Sequence, residues 1–457
     1  MTLQDSRFHS PETAIPTVQG VDRLPTHNAA LKGIPAENAD FEFDVAVVGM
    51  GYVGLPTSLA FREAGYRVLG LDVSERRLQT IRDRRADLLE GDRVRLDRAL
   101  GDPGFELTSD PQRLSSAAAV VVAVPTPVDN YLVPDLSILR SACATVVDHA
   151  VPGQLLVLTS TTYVGSTRDL LVVPLAARGL DAGTHLHVAF SPERINPGVD
   201  DFSQEEVPRV VGGITAACGL RAEVLLNKYV PAVHVVPTAE AAEMTKLLEN
   251  TFRAVNIALA NEFADICGAL GIPVMDVIDA ADTKPFGFMR FTPGPGVGGH
   301  CIPCDPHYLL WQLRSDRMSA PVIEQAMQGI AARPRRVVDR SRKILSDRKR
   351  GLEGARVLVA GVAYKPNVED VRESPALEIL AGLIKEGAEV GYIDPLIKRI
   401  DSKGIVLESV TDPAAFGADL VIMHTSHTDF DLSWLTSVPA VLDTTYKLPS
   451  GPNTIQL

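Results

Sequence analysis

A short glycine-rich segment, GMGYVG at residues 49–54, places the strongest constraint on the fold of this chain. It follows an apolar run at 44–48 that is typical of a buried strand, and it precedes a helical pattern at 55–64 that Gly65 ends. In a G-x-G-x-x-G turn the first glycine permits the tight turn, the second lets the backbone approach a pyrophosphate, and the third lets the helix pack on the strand. The helix N-terminus then faces the phosphates. This context predicts a unit that binds a dinucleotide.

A second apolar strand ends at Asp72, where such units place the acid that bonds the ribose hydroxyls of NAD. A carboxylate there repels the 2′-phosphate of NADP and so favours NAD, although the nearby Arg77 weakens that preference. The first cofactor-binding residues that we predict are therefore Gly49, Gly51, Tyr52, Val53, Gly54, Asp72 and Arg77.

Strand and helix patterns continue to alternate after this unit. A helical pattern at 74–85 is followed by near-continuous apolar runs at 117–124, 155–159 and 188–190, which are typical of buried strands. This alternation predicts a parallel, doubly wound sheet.

A second alternation begins at Ala355, with strand patterns at 355–364, 388–394 and 419–425 and a helical pattern at 373–386. The turn after its first strand lacks a full glycine fingerprint. The predicted fold class is therefore α/β, with two Rossmann-like doubly wound domains joined by a helical middle.

The middle is dominated by one long helical pattern at 239–270, which Gly271 and Pro273 end. At 1.5 Å per residue it is about 48 Å long. A helix of this length typically joins domains or forms an oligomer interface, and burial inside one domain is the alternative. Its apolar stripe consists of Met244, Leu247, Leu248, Phe252, Val255, Leu259, Phe263, Ile266 and Leu270.

Composition narrows the class of protein. The chain has 457 residues, of which 46% are hydrophobic, so it is globular and, at roughly 150 residues per domain, holds about three domains. No apolar run approaches the roughly 20 residues of a membrane span, and the first residues lack a secretory signal pattern. Five scattered cysteines fit a reducing cytoplasm, and a net charge of −13 argues against bulk nucleic-acid binding. We expect a cytoplasmic protein that binds neither nucleic acid nor membrane.

The segment PGPGVGGHCIPCDPHYL at 293–309 leaves three interpretations open. Zinc needs four converging ligands, but His300 and Cys301 are adjacent and the prolines restrict the backbone, which disfavours a metal site. A C-x-x-C redox pair is the second interpretation, although thioredoxin-like motifs lie between a strand and a helix. The four glycines favour the third, a loop that lays N–H groups against an anionic ligand beside the Cys301 thiol. We therefore predict covalent redox catalysis and no metal.

Other polar side chains lie at strand ends or on one helix face. The turns VPTP (124–127) and TSTT (159–162) follow apolar strands, where ligands bind in open sheets, although each also fits an ordinary turn. Lys246 and Asn250 are four residues apart and share a helix face, and a solvated ion pair is the alternative for Lys246. Glu193 lies in the turn SPERINPG, for which a surface turn is the alternative.

Taken in order, GMGYVG, VPTP, TSTT, SPER, TKLLENT, PGPGVGGHCIPCDP and AYKPNVEDVRESPA resemble the motifs of the nucleotide-sugar 6-dehydrogenases, the UDP-glucose/GDP-mannose dehydrogenase family. Many UDP-glucose enzymes of the family have glutamate where Pro197 stands here, and lysine where Cys304 stands. These departures, with TKPFGFM at 283–289, are most similar to the UDP-N-acetylglucosamine 6-dehydrogenase branch. The C-x-x-C spacing is then incidental.

The resemblance implies a reaction in which the C6 hydroxyl of a hexose is oxidised through an aldehyde to a carboxylate, with two NAD reduced. Cys301 matches the family nucleophile, which attacks the aldehyde and carries a thiohemiacetal and then a thioester. A thiol suits this role because it is strongly nucleophilic and leaves readily from an acyl group. Lys246 matches the lysine that stabilises the developing oxyanion, and Asn250 would assist it.

The resemblance assigns hydrolysis of the thioester to three further residues. Asp305 matches an aspartate that positions or activates water, together with Thr161. Glu193 matches a catalytic glutamate, which is plausible as a base in hydrolysis.

Binding residues follow from the same resemblance. Arg372 in DVRES matches an arginine that contacts NAD phosphate, and Tyr364 and Lys365 match a pair that contacts the nucleotide sugar. Arg290 lies where an arginine of the other subunit reaches the sugar in some members, and an ordinary loop cation is its alternative. The remaining predicted cofactor residues are Pro125, Thr126, Ser160 and Thr161. The remaining predicted substrate-binding residues are Glu193, Arg194, Lys246, Asn250, Phe291, Pro293, Gly294, Gly296 and Gly298.

The implied domains are an NAD-binding domain at 43–236, a central helical dimerisation domain with the cysteine loop at 237–340, and a C-terminal nucleotide-sugar-binding domain at 341–457. Residues 1–42 would form a flexible extension, or alternatively an ordered arm of an oligomer. We expect a homodimer or a higher homo-oligomer.

The predicted function is therefore NAD-dependent, four-electron oxidation of UDP-N-acetylglucosamine, UDP-glucose or dTDP-glucose to the uronic acid, in polysaccharide or glycoside biosynthesis. Two alternatives stay open. A catalytically silent regulator that binds NAD and a nucleotide sugar is disfavoured by the joint presence of Cys301, Lys246, Asn250 and Asp305. A one-step alcohol dehydrogenase would need Cys301 only for packing.

Overall fold

Two β-sheets, one in each half of the chain, carry the fold. The computed structural model describes residues 41–88, 90–129, 131–194, 206–299, 301–402 and 404–457. Phe41–Leu457 forms one compact unit. The predicted N-terminal extension falls almost wholly outside the described residues, as do Pro197 and His300.

The first sheet has eight strands in the order β3-β2-β1-β4-β5-β6-β7-β8. They are β1 (Phe43–Val48), β2 (Val68–Leu71), β3 (Phe105–Thr108), β4 (Ala117–Val122), β5 (Leu155–Leu158), β6 (His187–Phe190), β7 (Arg209–Gly213) and β8 (Val233–Val236). The apolar runs of the sequence are confirmed as strands. Because β1 pairs with β2 on one side and β4 on the other, a crevice opens at the carboxyl end of β1.

The central strands β4 and β5 are wholly apolar, and β1 almost so, because both faces of the sheet are buried there. Val45 and Val47 of β1 belong to the core on one face of the sheet, and Ala46 and Val48 belong to the core on the other. The helices that cover the sheet are α1 (Gly54–Glu63), α2 (Glu75–Arg82), α3 (Glu90–Ala99), α4 (Ser137–His149), α5 (Val173–Ala177) and α6 (Ala216–Leu226).

The predicted parallel sheet is confirmed except for one pairing, between β6 and β7. β7 runs antiparallel to β6, with Ala189 opposite Gly213 and Phe190 opposite Gly212, while β8 returns parallel to β7. An apolar run has the same pattern in either direction, so burial alone does not reveal strand direction.

The long helix α7 (Ala239–Leu270) begins and ends where the sequence predicts, but most of its apolar stripe is not buried. Thr238 accepts the Ala241 N–H at its start, and Gly271 in the left-handed region, with a φ of 70°, ends it. Of the nine residues in the apolar stripe, Leu247 is buried, Val255 is half-buried and the other seven are exposed. The buried face of α7 instead carries small and polar side chains, so burial of the whole helix inside one domain is excluded.

Three more helices complete the middle of the chain: α8 (Val274–Asp282), α9 (Asp305–Ser315) and α10 (Pro321–Asp347). The 27-residue α10, which contains Pro334, packs against α7 and also joins the core of the second sheet through Val337 and Ile344. No helix within the described ranges is long and apolar enough to cross a lipid bilayer.

The second sheet has five parallel strands in the order β10-β9-β13-β14-β15, and a separate β11–β12 hairpin accompanies it. Its elements are β9 (Arg356–Ala360), α11 (Pro375–Lys385), β10 (Glu389–Ile393), β11 (Arg399–Ser402), β12 (Ile405–Glu408), α12 (Pro413–Phe416), β13 (Leu420–Met423), β14 (Val441–Asp443) and β15 (Thr454–Gln456). The strands predicted from Ala355 onward are thereby confirmed as a second α/β half.

Candidate active site

The fingerprint loop between β1 and α1 has the backbone geometry that its glycines predict. Gly49 has a φ of +95°, and a Cβ there would lie 2.7 Å from the Ala123 carbonyl oxygen. A Cβ on Gly54 would lie 1.7 Å from the Gly49 carbonyl oxygen, so α1 packs directly on the turn. Around Gly51 there is open space within 4 Å of the Cβ position. This room is what close approach of a pyrophosphate requires.

Asp72 and Arg77 both bind the fingerprint loop. The two carboxylate oxygens of Asp72 accept the N–H groups of Met50 and Ser74, each at 2.8 Å. Nε of Arg77 donates to the Met50 carbonyl oxygen at 2.7 Å. The first turn of α1 has no acidic residue and no side-chain cap, so its N–H groups suit an anion. The residues present therefore fit a dinucleotide.

The turns after β4 and β5 are joined by Ser160. Its hydroxyl accepts the Val124 N–H at 2.9 Å and lies 2.8 Å from the Val124 carbonyl oxygen. Thr126, which follows Pro125 in the VPTP turn, lies beside Tyr308 of α9. The predicted residues of both turns thus lie at neighbouring strand ends, beside β1.

Cys301 lies in a tight turn that leads into α9. Its carbonyl oxygen accepts the N–H of Cys304 at 3.1 Å and that of Asp305 at 2.8 Å. Cys301 is exposed, whereas Cys304 is buried. Desolvation and the Asp305 carboxylate raise the pKa of the Cys301 thiol, while Lys246 and Arg253 oppose that rise. The thiol is accessible and lies among charged groups that govern its ionisation.

Asp305 is the centre of a buried polar cluster. Asn250 donates a hydrogen bond to its carboxylate, and the Thr161 hydroxyl donates another. Burial raises the pKa of Asp305 to about 6, although Lys246, Asn250 and Thr161 favour the ionised form. Four predicted residues, from the turn after β5, from α7 and from α9, therefore meet at one place.

Glu193 is also buried, but its carboxylate binds Arg209 of β7, with Oε2 and Nη1 2.8 Å apart. Lys246 instead donates to the main-chain oxygen of Glu193, at 2.7 Å. Arg194 pairs with Glu249 of α7. The alternatives of a surface turn for Glu193 and a solvated ion pair for Lys246 are both wrong, because both side chains are buried.

The glycine-rich loop before Cys301 packs against the second half of the chain. A Cβ on Gly298 would lie 2.7 Å from Cβ of Tyr364, and one on Gly296 would lie 2.8 Å from Pro375. Close approach of two chain segments therefore requires these glycines. Burial, Asp370 and the Cys301 thiol raise the pKa of Tyr364, so Tyr364 lies near Cys301. Lys365 directly follows Tyr364 in the sequence.

The beginning of the same loop lies on α7. Phe291 packs edge-on against Phe252, with ring centroids 5.9 Å apart, and Pro293 is buried. The Gly294 N–H donates to Asn261 at 2.9 Å. These contacts hold the predicted substrate loop against the helix that carries Lys246.

Arg290 binds acids of its own chain. Its guanidinium lies 2.6 Å from Asp279 and 3.6 Å from Asp282, both on α8. It also lines an open groove together with Phe252 and Phe291. Within one chain, Arg290 therefore lies beside the exposed face of α7.

Arg372 reaches from the second half of the chain to the fingerprint loop. Its guanidinium lies over the Tyr52 ring, 4.4 Å from the centroid, and Asp370 holds it through both carboxylate oxygens at 2.7 to 3.0 Å. The structure therefore brings Arg372 to the predicted cofactor residues.

Several buried residues that contact the predicted set were missed from the sequence. Arg209 binds Glu193, Asp370 binds Arg372, and Tyr308 lies beside Thr126. Glu243 is a further buried charge, and its carboxylate accepts four hydrogen bonds from residues 165–167, which lie outside the predicted set, at 2.5 to 2.9 Å. For Arg209 and Glu243, a charged residue beside apolar or small residues was the sequence signal, but their partners lie far away in sequence.

Comparisons with known proteins agree with this geometry. Three domain profiles of the UDP-glucose/GDP-mannose dehydrogenase family match: the NAD binding domain at 43–230, the central domain at 240–329 and the UDP binding domain at 358–448. The chain is 33% identical to UDP-N-acetyl-D-mannosamine dehydrogenase of Escherichia coli (strain K12), over 84% of this chain and 94% of the relative. It is also 33% identical to NDP-N-acetyl-D-galactosaminuronic acid dehydrogenase of Ralstonia solanacearum, over 84% and 91%.

A solved structure, the UDP-D-ManNAc dehydrogenase from Pyrococcus horikoshii, superimposes with a TM-score of 0.83 at 30% identity. The match covers 90% of this chain and 98% of that one. The α/β fold class is thereby confirmed over both halves and the helical middle.

Replacing Gly51 or Gly54 of the fingerprint loop by alanine should give different phenotypes. Gly51→Ala adds a methyl group in open space, so we expect normal folding but at least about tenfold weaker NAD binding, about 1.4 kcal/mol. Gly54→Ala forces α1 away from the Gly49 carbonyl oxygen, so we expect a lower melting temperature or loss of soluble protein. Calorimetric NAD titration and thermal unfolding of both variants test this, and unchanged NAD affinity of Gly51→Ala would contradict the pyrophosphate site.

Proposed function

Because the chain belongs to the UDP-glucose/GDP-mannose dehydrogenase family and is an NAD-dependent oxidoreductase, we propose that it oxidises C6 of a UDP-N-acetylhexosamine to the carboxylate, in two steps through Cys301. The observation that carries this proposal is the cluster around the exposed Cys301 thiol. Lys246 and Asp305 both lie near enough to act on its titration.

The substrate class rests on the relatives and on the second half of the chain. The two curated relatives are named for an N-acetylmannosamine and an N-acetylgalactosaminuronic acid compound. The UDP binding domain profile at 358–448 supports a uridine nucleotide. We therefore favour a UDP-N-acetylhexosamine over UDP-glucose and dTDP-glucose.

Cofactor binding is assigned to the fingerprint loop and the crevice beside it. Asp72 would bond the ribose, Gly51 would admit the pyrophosphate, and Arg372 would add a positive charge over Tyr52. Bound NAD supplies the hydride acceptor. The residues of the VPTP and TSTT turns line the crevice in which it would meet the substrate.

The chain's own residues then handle the carbonyl chemistry. After the C6 hydroxyl becomes an aldehyde, the Cys301 thiol adds to its carbon and the proton passes to the developing alkoxide. Lys246 carries the positive charge that stabilises this oxygen. Oxidation of the thiohemiacetal gives a thioester on Cys301.

Hydrolysis releases the acid and regenerates the thiol. Asp305 is suited to take a proton from the attacking water, since its pKa of about 6 leaves it ionised at neutral pH. Asn250 and Thr161 donate to its carboxylate and so fix its orientation.

A silent binding protein and a one-step dehydrogenase remain as the alternatives. Neither would need an accessible thiol beside a buried lysine and a buried carboxyl with a raised pKa, because packing alone does not favour such groups. The Cys301 environment therefore supports the two-step reaction.

The exposed stripe of α7 supports a homodimer. Its exposed members are Met244, Leu248, Phe252, Leu259, Phe263, Ile266 and Leu270. They recur at intervals of three or four residues, apart from the step from Phe252 to Leu259, where the half-buried Val255 intervenes. The stripe extends along almost the whole helix as one apolar face. A second copy in the antiparallel direction would present the same face, as a two-fold interface requires. We propose that this face is the dimer interface.

The two-step reaction predicts a stoichiometry. We expect about two NADH per sugar consumed, because each oxidation yields one. Cys301→Ser should lose overall turnover by at least about 10³-fold, while Cys304→Ser, which removes the neighbouring buried thiol, should retain most of it. The assay uses NAD with UDP-N-acetylmannosamine, UDP-N-acetylglucosamine, UDP-N-acetylgalactosamine, UDP-glucose and dTDP-glucose. A ratio near one would establish the one-step enzyme, and failure on every sugar would favour the binding protein.

Ionisation of Asp305 predicts the acid limb of the pH profile. Below pH of about 6 its carboxyl holds a proton and no longer accepts one from water, so kcat should fall about tenfold per pH unit. Asp305→Asn should lower kcat and remove this limb. Steady-state rates between pH 5 and 9 check this, and an unchanged acid limb in Asp305→Asn would assign it to another group.

If α7 forms the dimer interface, a charged side chain placed on its apolar face should convert the dimer into a monomer. Leu259→Glu, in the middle of α7, would bring two carboxylates into an apolar contact, so we expect dissociation. Val406→Glu, on the exposed face of β12, is the matched control and should leave the mass unchanged. Light scattering after gel filtration gives the mass, and a wild-type monomer at micromolar concentration would refute the interface.

A further inference from the structure

The segment that follows β5, residues 161–167, is attached to two helices of the site. At its start, the Thr161 hydroxyl donates to the Asp305 carboxylate of α9. At its end, main-chain and hydroxyl groups of residues 165–167 donate four hydrogen bonds to Glu243 of α7, at 2.5 to 2.9 Å. The segment therefore joins the end of a sheet strand to both α7 and α9.

The half-buried side chain of Gln312 makes a second contact between this segment and α9. Its amide oxygen accepts the Val164 N–H at 3.0 Å, and its amide nitrogen donates to the Val164 carbonyl oxygen at 2.8 Å. Beside it, Trp311 packs edge-on against Tyr163, with ring centroids 5.8 Å apart. One side-chain amide thus binds both main-chain polar groups of a single residue in the segment.

Asp305 and Gln312 lie on the same face of α9. They are seven residues, or about two helical turns, apart, which separates them by about 10 Å along the helix axis. The segment is therefore attached to α9 at two points, through Thr161 at Asp305 and through Val164 at Gln312. Two points fix the direction of the segment along the helix, whereas one point would let it pivot. The Gln312 contact therefore limits the directions from which the Thr161 hydroxyl can meet the Asp305 carboxylate.

We propose that Gln312 is a positioning residue for hydrolysis of the thioester. It acts through the main chain of Val164 and holds Thr161 in place against the carboxylate that takes a proton from water. In that step the water oxygen bonds to the thioester carbon, the carbon–sulfur bond breaks, and the proton passes to the sulfur. This inference rests on the proposed roles of Cys301 and Asp305. Both hydride transfers precede hydrolysis, so a loss of Gln312 should affect them little.

Gln312→Met tests this role, because methionine is of similar length but forms neither hydrogen bond to the Val164 main chain. We expect thioester hydrolysis to slow at least about tenfold, since a small displacement of a catalytic group is costly. The first turnover should still release about two NADH per site at a rate within about threefold of wild type, with little change in the KM for NAD. Rapid-quench assays of NADH, combined with mass spectrometry of the acyl-enzyme, measure these steps separately.

Gln154→Met is the matched control. Gln154 directly precedes β5, at the opposite end of the same strand, and its amide also binds main-chain groups. It accepts the Val151 N–H at 2.8 Å and donates to the carbonyl oxygens of Leu114 and Ala117 at 2.8 and 2.7 Å. Because Gln154 is buried and Gln312 only half-buried, Gln154→Met should lower the melting temperature at least as much, yet leave hydrolysis at the wild-type rate. If either methionine variant does not fold, the glutamate variant, which keeps the acceptor, replaces it.

The outcomes separate this inference from the proposed function. Accumulation of the thioester in Gln312→Met but not in Gln154→Met supports positioning by Gln312. An unchanged rate of hydrolysis in Gln312→Met overturns the inference, as does an equal slowing of the first hydride transfer, which a general loss of structure would cause. Asp305→Asn is assayed alongside. If the wild-type enzyme forms no thioester, or if Asp305→Asn hydrolyses it at the wild-type rate, the proposed mechanism fails regardless of Gln312.

Discussion

A single buried guanidinium, that of Arg333 in α10, holds together the parts of the chain that form the site. Its three nitrogens bind the Gly294 carbonyl oxygen at 2.9 Å, Asp265 of α7 at 2.6 Å and the Tyr446 hydroxyl at 3.3 Å. Tyr446 in turn donates to Leu457 at 2.7 Å. A buried charge is tolerated only when it is fully bonded, so these contacts must form together. This one side chain therefore links the cysteine loop both to α7 and to the second half, in addition to the Gly294–Asn261 bond and the close packing of Gly296 and Gly298.

The two α/β halves have the same kind of turn after their first strands, but the carboxylate that binds the turn has different partners in each half. Gly49 and Gly361 both have a positive φ, and each is followed by an N–H that a carboxylate at the end of the next strand accepts, Asp72 in one half and Asp394 in the other. Asp394 is further bound by backbone N–H groups and by His427 at 3.2 Å. Although burial opposes it, this bonding lowers the pKa of Asp394 to about 2. The Asp394 carboxylate is thus committed to structure, whereas each oxygen of Asp72 accepts a single backbone N–H, and only Asp72 is proposed to bond a ribose.

Sequence reasoning succeeded where the signal is local. Gly49 and Gly54 are required by contacts within a few residues or at the next strand end, and the four-residue spacing of Lys246 and Asn250 fixes a shared helix face. It failed where the decisive partner is distant, as in the direction of β7 or the pairing of Arg209 with Glu193. Such contacts depend on how elements pack, and no periodicity in one segment encodes the neighbour it will meet.

The long helix shows why its apolar stripe was a poor guide to its buried face. On α7 the side turned into its own chain carries Glu243, Lys246 and Asn250, each held by bonds to loops or to α9, and the opposite side carries the large apolar residues. Burial of the polar face is possible because every charge there has a partner. An apolar face left open at the same time needs a cover, which the proposed second copy would supply. Since a helix is rigid across its diameter, a two-fold contact on one face would also fix the position of Lys246 on the other.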